Sequence, residues 1–133
     1  MRRRGTKAPE GRLARKRRAE RYGRSAELLC VLALRLRGYR ILVRRFRSPQ
    51  GEIDIVARRG RTVAIVEVKA RVEREAAVLA LSLGQRLRIE RAAAALIARH
   101  PQLAGCDLRF DLMLVRPLRW PELIADAWRP GMA

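Results

Sequence analysis

The amino-acid sequence predicts an α/β domain, with a mixed central sheet flanked by helices in the order α-β-β-β-α-β. Three observations predict it. Two Val/Ile-rich runs, Gly51 to Ala57 and Thr62 to Ala70, flank the short basic turn Arg58-Arg59-Gly60-Arg61, which is the signature of a β-hairpin. Helix-favouring segments lie on both sides of that hairpin in the chain. The second of them separates the third strand from the fourth, and a helical crossover of that kind implies parallel pairing within an otherwise antiparallel sheet.

The elements follow in order. Residues 1–22 form a basic leader or helix extension, and residues 23–133 a single domain. Residues 1–24 carry eleven basic and two acidic side chains, so half of the net charge of +18 sits there. From about Arg12 to Arg37 the composition favours helix, with Gly38 as a C-cap signal. In that helix Glu27 heads the apolar stripe Cys30, Val31 and Leu34. It is either a carboxylate facing inward or an exposed acid favoured by a helix N-terminus after Gly23. Tyr39 to Phe46 reads as the first strand and Ser48 to Gly51 as a turn.

Arg71 to Leu81 reads as a loop with some helical character. Ser82 and Gln85 form a capping-box pattern, in which Gln85 reaches back to the start of a helix that Pro101 ends beyond Arg99 or His100. Ile89, Ala93, Leu96 and Ile97 are its expected buried stripe. Arg88, Arg91 and Arg99 share a different face, suited to a phosphate backbone. Leu108 to Val115 is the fourth strand. The tail is expected to lay Trp120 and Trp128 over a sheet edge.

Composition bounds the function. At 133 residues with 49% hydrophobic side chains the chain can bury a core unaided. A net charge of +18 at pI ≈ 11.8 is best explained by a polyanionic partner, which points to nucleic acid. Two cysteines, Cys30 and Cys106, suit buried thiols in a reducing compartment. The longest apolar run, Leu28 to Leu34, is too short for a membrane span, and no secretory signal precedes it; the expected setting is the cytoplasm. His100 is the only histidine, which leaves no His/Cys zinc site and no histidine-based catalysis. No glycine loop has the spacing of a P-loop or a dinucleotide fingerprint.

What remains is charge inside the hairpin. Buried strands carry charge only when it is paired or binds a metal, yet Glu52, Asp54, Glu67 and Lys69 interrupt these runs. A two-residue loop at Arg59-Gly60, or a four-residue loop from Arg58 to Arg61, puts all four on one face. Asp54 then lies opposite Ile65 and Glu52 opposite Glu67, which makes Asp54 and Glu67 diagonal neighbours about 7 Å apart. A lone exposed ion pair, worth well under ~1 kcal/mol, does not account for three acids around one lysine. Two converging carboxylates can share a hard cation such as Mg2+ or Mn2+, with the Val68 carbonyl as a further ligand. Phosphodiester hydrolysis needs such a cation, and Lys69 on the same face can hold the attacking water.

Asp54 with Glu67-Val68-Lys69 resembles the signature of the PD-(D/E)XK nuclease superfamily, whose restriction-endonuclease-like fold has the same element order. Gly23-Arg24-Ser25-Ala26-Glu27, Gly38-Tyr39-Arg40-Ile41-Leu42, Gly51 to Ala57, Val66 to Arg71 and Leu108-Arg109-Phe110-Asp111 together resemble the YraN family, small bacterial proteins similar to archaeal Holliday-junction resolvases. The resemblance implies that Asp54 and Glu67 ligate the metal, that Lys69 assists the water, and that Glu27 is a further acid at the same site. Glu52 occupies a family position either as a second-cation ligand or as a brace for the hairpin. Gln85, Arg88, Arg91 and Arg71 are the expected nucleic-acid contacts, and Asp111 beside Arg109 is structural. The expected function is a divalent-metal-dependent endonuclease on DNA, with branched or damaged DNA as candidate substrates, and by analogy with resolvases a homodimer. The alternatives are a non-catalytic nucleic-acid-binding module and an accessory subunit of a repair or uptake machine.

Overall fold

The computed structural model describes residues 24–131. The leader and the first half of the expected N-terminal helix lie outside them. Helix α1 covers residues 24–36. Gly38 ends it in a left-handed conformation, φ +89°. The Gly38 amide donates to Arg35 O (3.0 Å) and the Tyr39 amide to Leu34 O (3.0 Å), the paired bonds of a Schellman cap. Five strands follow: β1 (Arg40–Ser48), β2 (Gly51–Arg59), β3 (Thr62–Ala70), β4 (Asp107–Val115) and β5 (Glu122–Trp128). Between β3 and β4 lie α2 (Arg74–Leu79), α3 (Leu83–Arg99) and a 3-10 turn at Pro101–Leu103.

The sheet order is β1-β2-β3-β4-β5, with β3 and β4 parallel and the other neighbours antiparallel. This is the mixed sheet flanked by helices that the sequence predicts, and it is consistent with a restriction-endonuclease-like fold. Strand alternation divides the core into two layers. Ala64 and Val66 of β3 face α1, packing with Cys30, Leu34 and Met113. Val63 and Ile65 face α3, packing with Ile89, Ala92, Ala93 and Leu96.

Three expectations need correction. The tail is a strand, not a cover: β5 pairs antiparallel with β4. Trp128 is buried against Phe110, with ring centroids 5.3 Å apart, whereas Trp120 is exposed. The segment after β3 contains a true short helix, α2, anchored by buried Ala77. The hairpin loop is two residues long, as the face argument needs, but it is Gly60-Arg61, with Arg59 paired to Thr62. Gly60 has φ +60° and Arg61 does not share a positive φ. That is the pattern of a type II′ turn, which wants glycine first. The shift leaves the faces unchanged but moves the ladder, so Val56, not Asp54, pairs with Ile65. Pairing ends at Ile55 with Val66. Continued by one step, that register sets Asp54 across from Glu67, while Glu52 is matched to Arg47 on β1.

Candidate active site

The site forms where β1 and β2 break the rule of alternation. Ile53 packs on the α3 side and Ile55 on the α1 side, although residues two apart in a regular strand share a face. On β1, Phe46 pairs with Ile53 and Arg44 with Ile55. Between them sits Arg45 at φ +55°, a left-handed residue inside a strand. Asp54 lies across from this kink, where the β2–β3 ladder has ended. Its carboxylate accepts a hydrogen bond from the Val68 amide at 2.8 Å, taking over from a backbone partner. The side chain is thereby held against the end of β3.

Glu67 is only 8% exposed. Its Oε1 accepts from Gln85 Nε2 at 3.0 Å and lies 3.4 Å from Lys69 Nζ. Lys69 Nζ donates to Gln85 Oε1 at 3.2 Å, so one amide ties the acid and the base together. Burial first, then the neighbouring Asp54 charge, pushes the Glu67 carboxyl up to about 8. Burial also raises Asp54, with the Glu27 charge adding to it; the Val68 amide, a hydrogen bond to Glu67 and Lys69 oppose the rise. Asp54 and Glu67 therefore share the protonation problem of two carboxylates in one low-dielectric site.

The capping box is half formed. Ser82 Oγ accepts from the Gln85 amide (3.1 Å), but the Gln85 side chain turns to Glu67 and Lys69 instead of back to the helix start. An acid–base pair in need of hydrogen bonds outcompetes an exposed backbone amide that water can satisfy. α3 thus places Gln85 in the site and sets Arg88 on its rim. A cleft of about 290 Å³ is lined by Gly51, Glu52, Asp54, Glu67, Gln85, Arg88 and Ile89. Gly51 lets the β1–β2 turn rest on α3: a Cβ there would stand 2.6 Å from the Arg88 carbonyl oxygen.

The other expected residues are placed as follows. Glu27 is buried and faces inward, with Oε1 3.2 Å from Arg44 Nε and Oε2 2.9 Å from Arg45 Nε. Its charge reaches Asp54, but both of its oxygens are engaged by guanidinium groups. Glu52 lines the cleft from an exposed position, 3.5 Å from Arg47. Arg91 is exposed on α3 and Arg71 just beyond β3. Asp111, fully buried, receives a two-pronged contact from Arg109 (2.8 and 2.7 Å) and the Asp126 amide (2.9 Å). Among the described residues no three His, Cys, Asp or Glu side chains gather closely enough to hold one ion; the tight acidic set is the Asp54–Glu67 pair. Sequence reasoning missed Arg44 and Arg45 as partners of Glu27. Adjacent strand residues point to opposite faces unless one adopts a positive φ, and arginine carries no signal for that.

Known proteins share this chain's sequence across the site. Residues 26–115 match the family described as "Uncharacterised protein family UPF0102". A UPF0102 protein of Parvibaculum lavamentivorans is 58% identical over 112 residues, 84% of each chain. One from Paramagnetospirillum magneticum is 53% identical over 115 residues, 84% of this chain and 89% of its own. One from Brucella canis is 49% identical over 109 residues, covering 82% and 86%. Glu27, Asp54, Glu67, Lys69 and Gln85 all fall within the matched segment.

Proposed function

The chain belongs to the uncharacterised protein family UPF0102, the YraN family, and we propose that it is a divalent-metal-dependent endonuclease that hydrolyses DNA phosphodiester bonds. One observation carries the reading. Two carboxylates, half-buried Asp54 and buried Glu67, line one cleft with Gln85, and Gln85 ties Lys69 to the glutamate. Two neighbouring carboxylates whose ionisation burial opposes are a poor structural device, and a hard cation between them would resolve it.

In this reading Asp54 and Glu67, with the Val68 carbonyl, would hold Mg2+ or Mn2+, which would supply charge neutralisation at the scissile phosphate and a more acidic water. Lys69 orients the attacking water and offsets the charge that develops on phosphorus oxygens. Gln85 keeps the Lys69 ammonium from collapsing onto Asp54, and Glu27 fixes Arg44 and Arg45 beside the kink that aims Asp54. Arg88 on the cleft rim and exposed Arg91 and Arg71 meet phosphates, in keeping with the net charge of +18.

The setting we propose is the cytoplasm. Among the described residues no helix is long and apolar enough to cross a membrane.

The test is cleavage of a panel of duplex, single-stranded, flapped and four-way DNA with Mg2+ or Mn2+. Turnover is expected in the wild type and not in Asp54→Ala or Lys69→Ala. Activity that survives both substitutions refutes the site. DNA binding without turnover on any substrate favours the non-catalytic module.

A further inference from the structure

The turn between β4 and β5, Arg116-Pro117-Leu118-Arg119-Trp120-Pro121, plays no part in the site described above, and it lies beyond the family match at residues 26–115. Its form is fixed. Pro117 takes the second position, Leu118 follows at φ +58°, and the Arg119 amide closes the turn on Arg116 O at 3.3 Å, the arrangement of a type II turn. Pro121 is buried and anchors the far side, and Arg116 Nη2 reaches Glu122 Oε1 at 3.2 Å. On this rigid tip an indole is presented to solvent: Trp120 is 53% exposed, with Leu118 and Arg119 exposed before it. Large aromatic side chains usually bury their surface, as Trp128 does seven positions after the turn's own Pro121.

The sheet decides where this indole stands. β3 and β4 run parallel, so the turn leaves the sheet at the end where β3 delivers Glu67 and Lys69. Lys69 is matched to Leu114 on β4, and Leu114 to Glu122 on β5, two residues after Trp120. Two strand spacings put Glu122 roughly 10 Å from Lys69. The Arg71 amide is bonded to Val115 O, which brings a further guanidinium to the same end. Arg119 makes no salt bridge among the described residues. An exposed indole set among arginines is a stacking platform for a nucleic-acid base, and a base offers its face only when it is unstacked from its neighbours.

We propose that Trp120 stacks on an unpaired base near the cleavage site, so that this protein's preferred substrate is a nucleic acid with a single-stranded segment rather than an intact duplex. The proposal rests on the nuclease reading for its choice of ligand, and it deepens that reading by naming the substrate class. Trp120 supplies the face, and Arg119 and Arg71 supply charge for the adjoining phosphates.

The chain's own fluorescence offers a test that needs no turnover. Trp128, 3% exposed and donating from Nε1 to Glu90 Oε2 at 3.1 Å, is shielded from ligand, so quenching by DNA reports Trp120. The full chain is titrated in EDTA with a short oligothymidylate and with a blunt duplex of equal length. Quenching by the single strand is expected in the wild type and not in Trp120→Ala, with single-strand affinity falling roughly 5- to 100-fold. Trp120→Phe should recover most of that affinity, and duplex affinity should change by less than about twofold. Because the side chain is exposed, Trp120→Ala should unfold at the wild-type temperature. Unchanged single-strand affinity in Trp120→Ala, or an equal loss on the duplex, overturns the stacking role while leaving the nuclease reading in place. Failure of the wild type to bind either DNA overturns the stacking role, and the nuclease reading stands or falls by the cleavage panel with Mg2+ or Mn2+. Wild-type protein that ignores DNA but loses Trp120 exposure to a second protein would assign the turn to protein docking instead.

Discussion

Replacing Glu67 with glutamine isolates the electrostatics of the site. The Glu67 carboxyl ordinarily titrates at 4.5 and here at about 8, chiefly because it is buried and secondarily because Asp54 is adjacent. Between those values the folded state keeps a proton that the unfolded chain has released. Stability must therefore fall as pH rises through that window, and level off above it. At 1.36 kcal/mol per pH unit the ceiling is about 5 kcal/mol, and a realised cost of ~3 kcal/mol corresponds to roughly 10 °C in Tm for a domain of this size. A cation that binds both ionised carboxylates reverses the trend. Mg2+ at 100 times its Kd adds about 2.7 kcal/mol, and should do so at pH 8.5 far more than at pH 6. Differential scanning fluorimetry from pH 5 to 9, with and without Mg2+, reads both effects. In Glu67→Gln the decline in Tm should be largely removed and the Mg2+ response lost. A wild-type Tm that is flat from pH 5 to 8, or that falls equally in Glu67→Gln, refutes the reasoning.

Other substitutions probe the frame around the site. Gly51→Ala forces a Cβ to within 2.6 Å of the Arg88 carbonyl oxygen, and lifting the β1–β2 turn off α3 should cost about 1–3 kcal/mol in urea unfolding and weaken Mg2+ binding in parallel. Asp111→Ala leaves Arg109 and the Asp126 amide without their shared acceptor in a fully buried place, and should lower stability by about 3–5 kcal/mol by the same measurement. Gln85→Ala removes the amide that bridges Lys69 and Glu67 without opening a core cavity. With the Gln85 bridge gone and only the direct 3.4 Å contact left to position Lys69, kcat on any cleaved substrate should fall by roughly 10-fold or more, a loss of at least ~1.4 kcal/mol in the transition state, with Tm little changed.

The acidic hairpin was legible in the sequence because charge inside apolar strands is costly and must be explained. Parity alone placed Asp54 and Glu67 on one face. The register was not legible, because choosing between Arg59-Gly60 and Gly60-Arg61 depends on the turn type, and both carry the same residues. β5 escaped notice for a related reason. Asp126 sits at φ +55° beside a register shift between Phe110 and Leu112, so Glu122–Trp128 lacks the clean alternation that announces a strand. Gln85 was recognised as a helix-start residue, which it is through its backbone; its side chain answers to a tertiary partner that no local pattern reveals. The Arg44–Glu27–Arg45 clamp depends on a positive φ at an arginine, and that conformation is imposed by the fold, not encoded by the residue.

The bond from the Val68 amide to Asp54 makes one backbone proton a native reporter. It is held by a side chain at the end of a ladder, so its exchange with solvent depends on whether that carboxylate stays in place. A ligand that fixes Asp54 should slow exchange at Val68 more than at Val66, whose strand pairing is already complete. A single amide resonance would then read occupancy of the cleft without label, substrate or turnover.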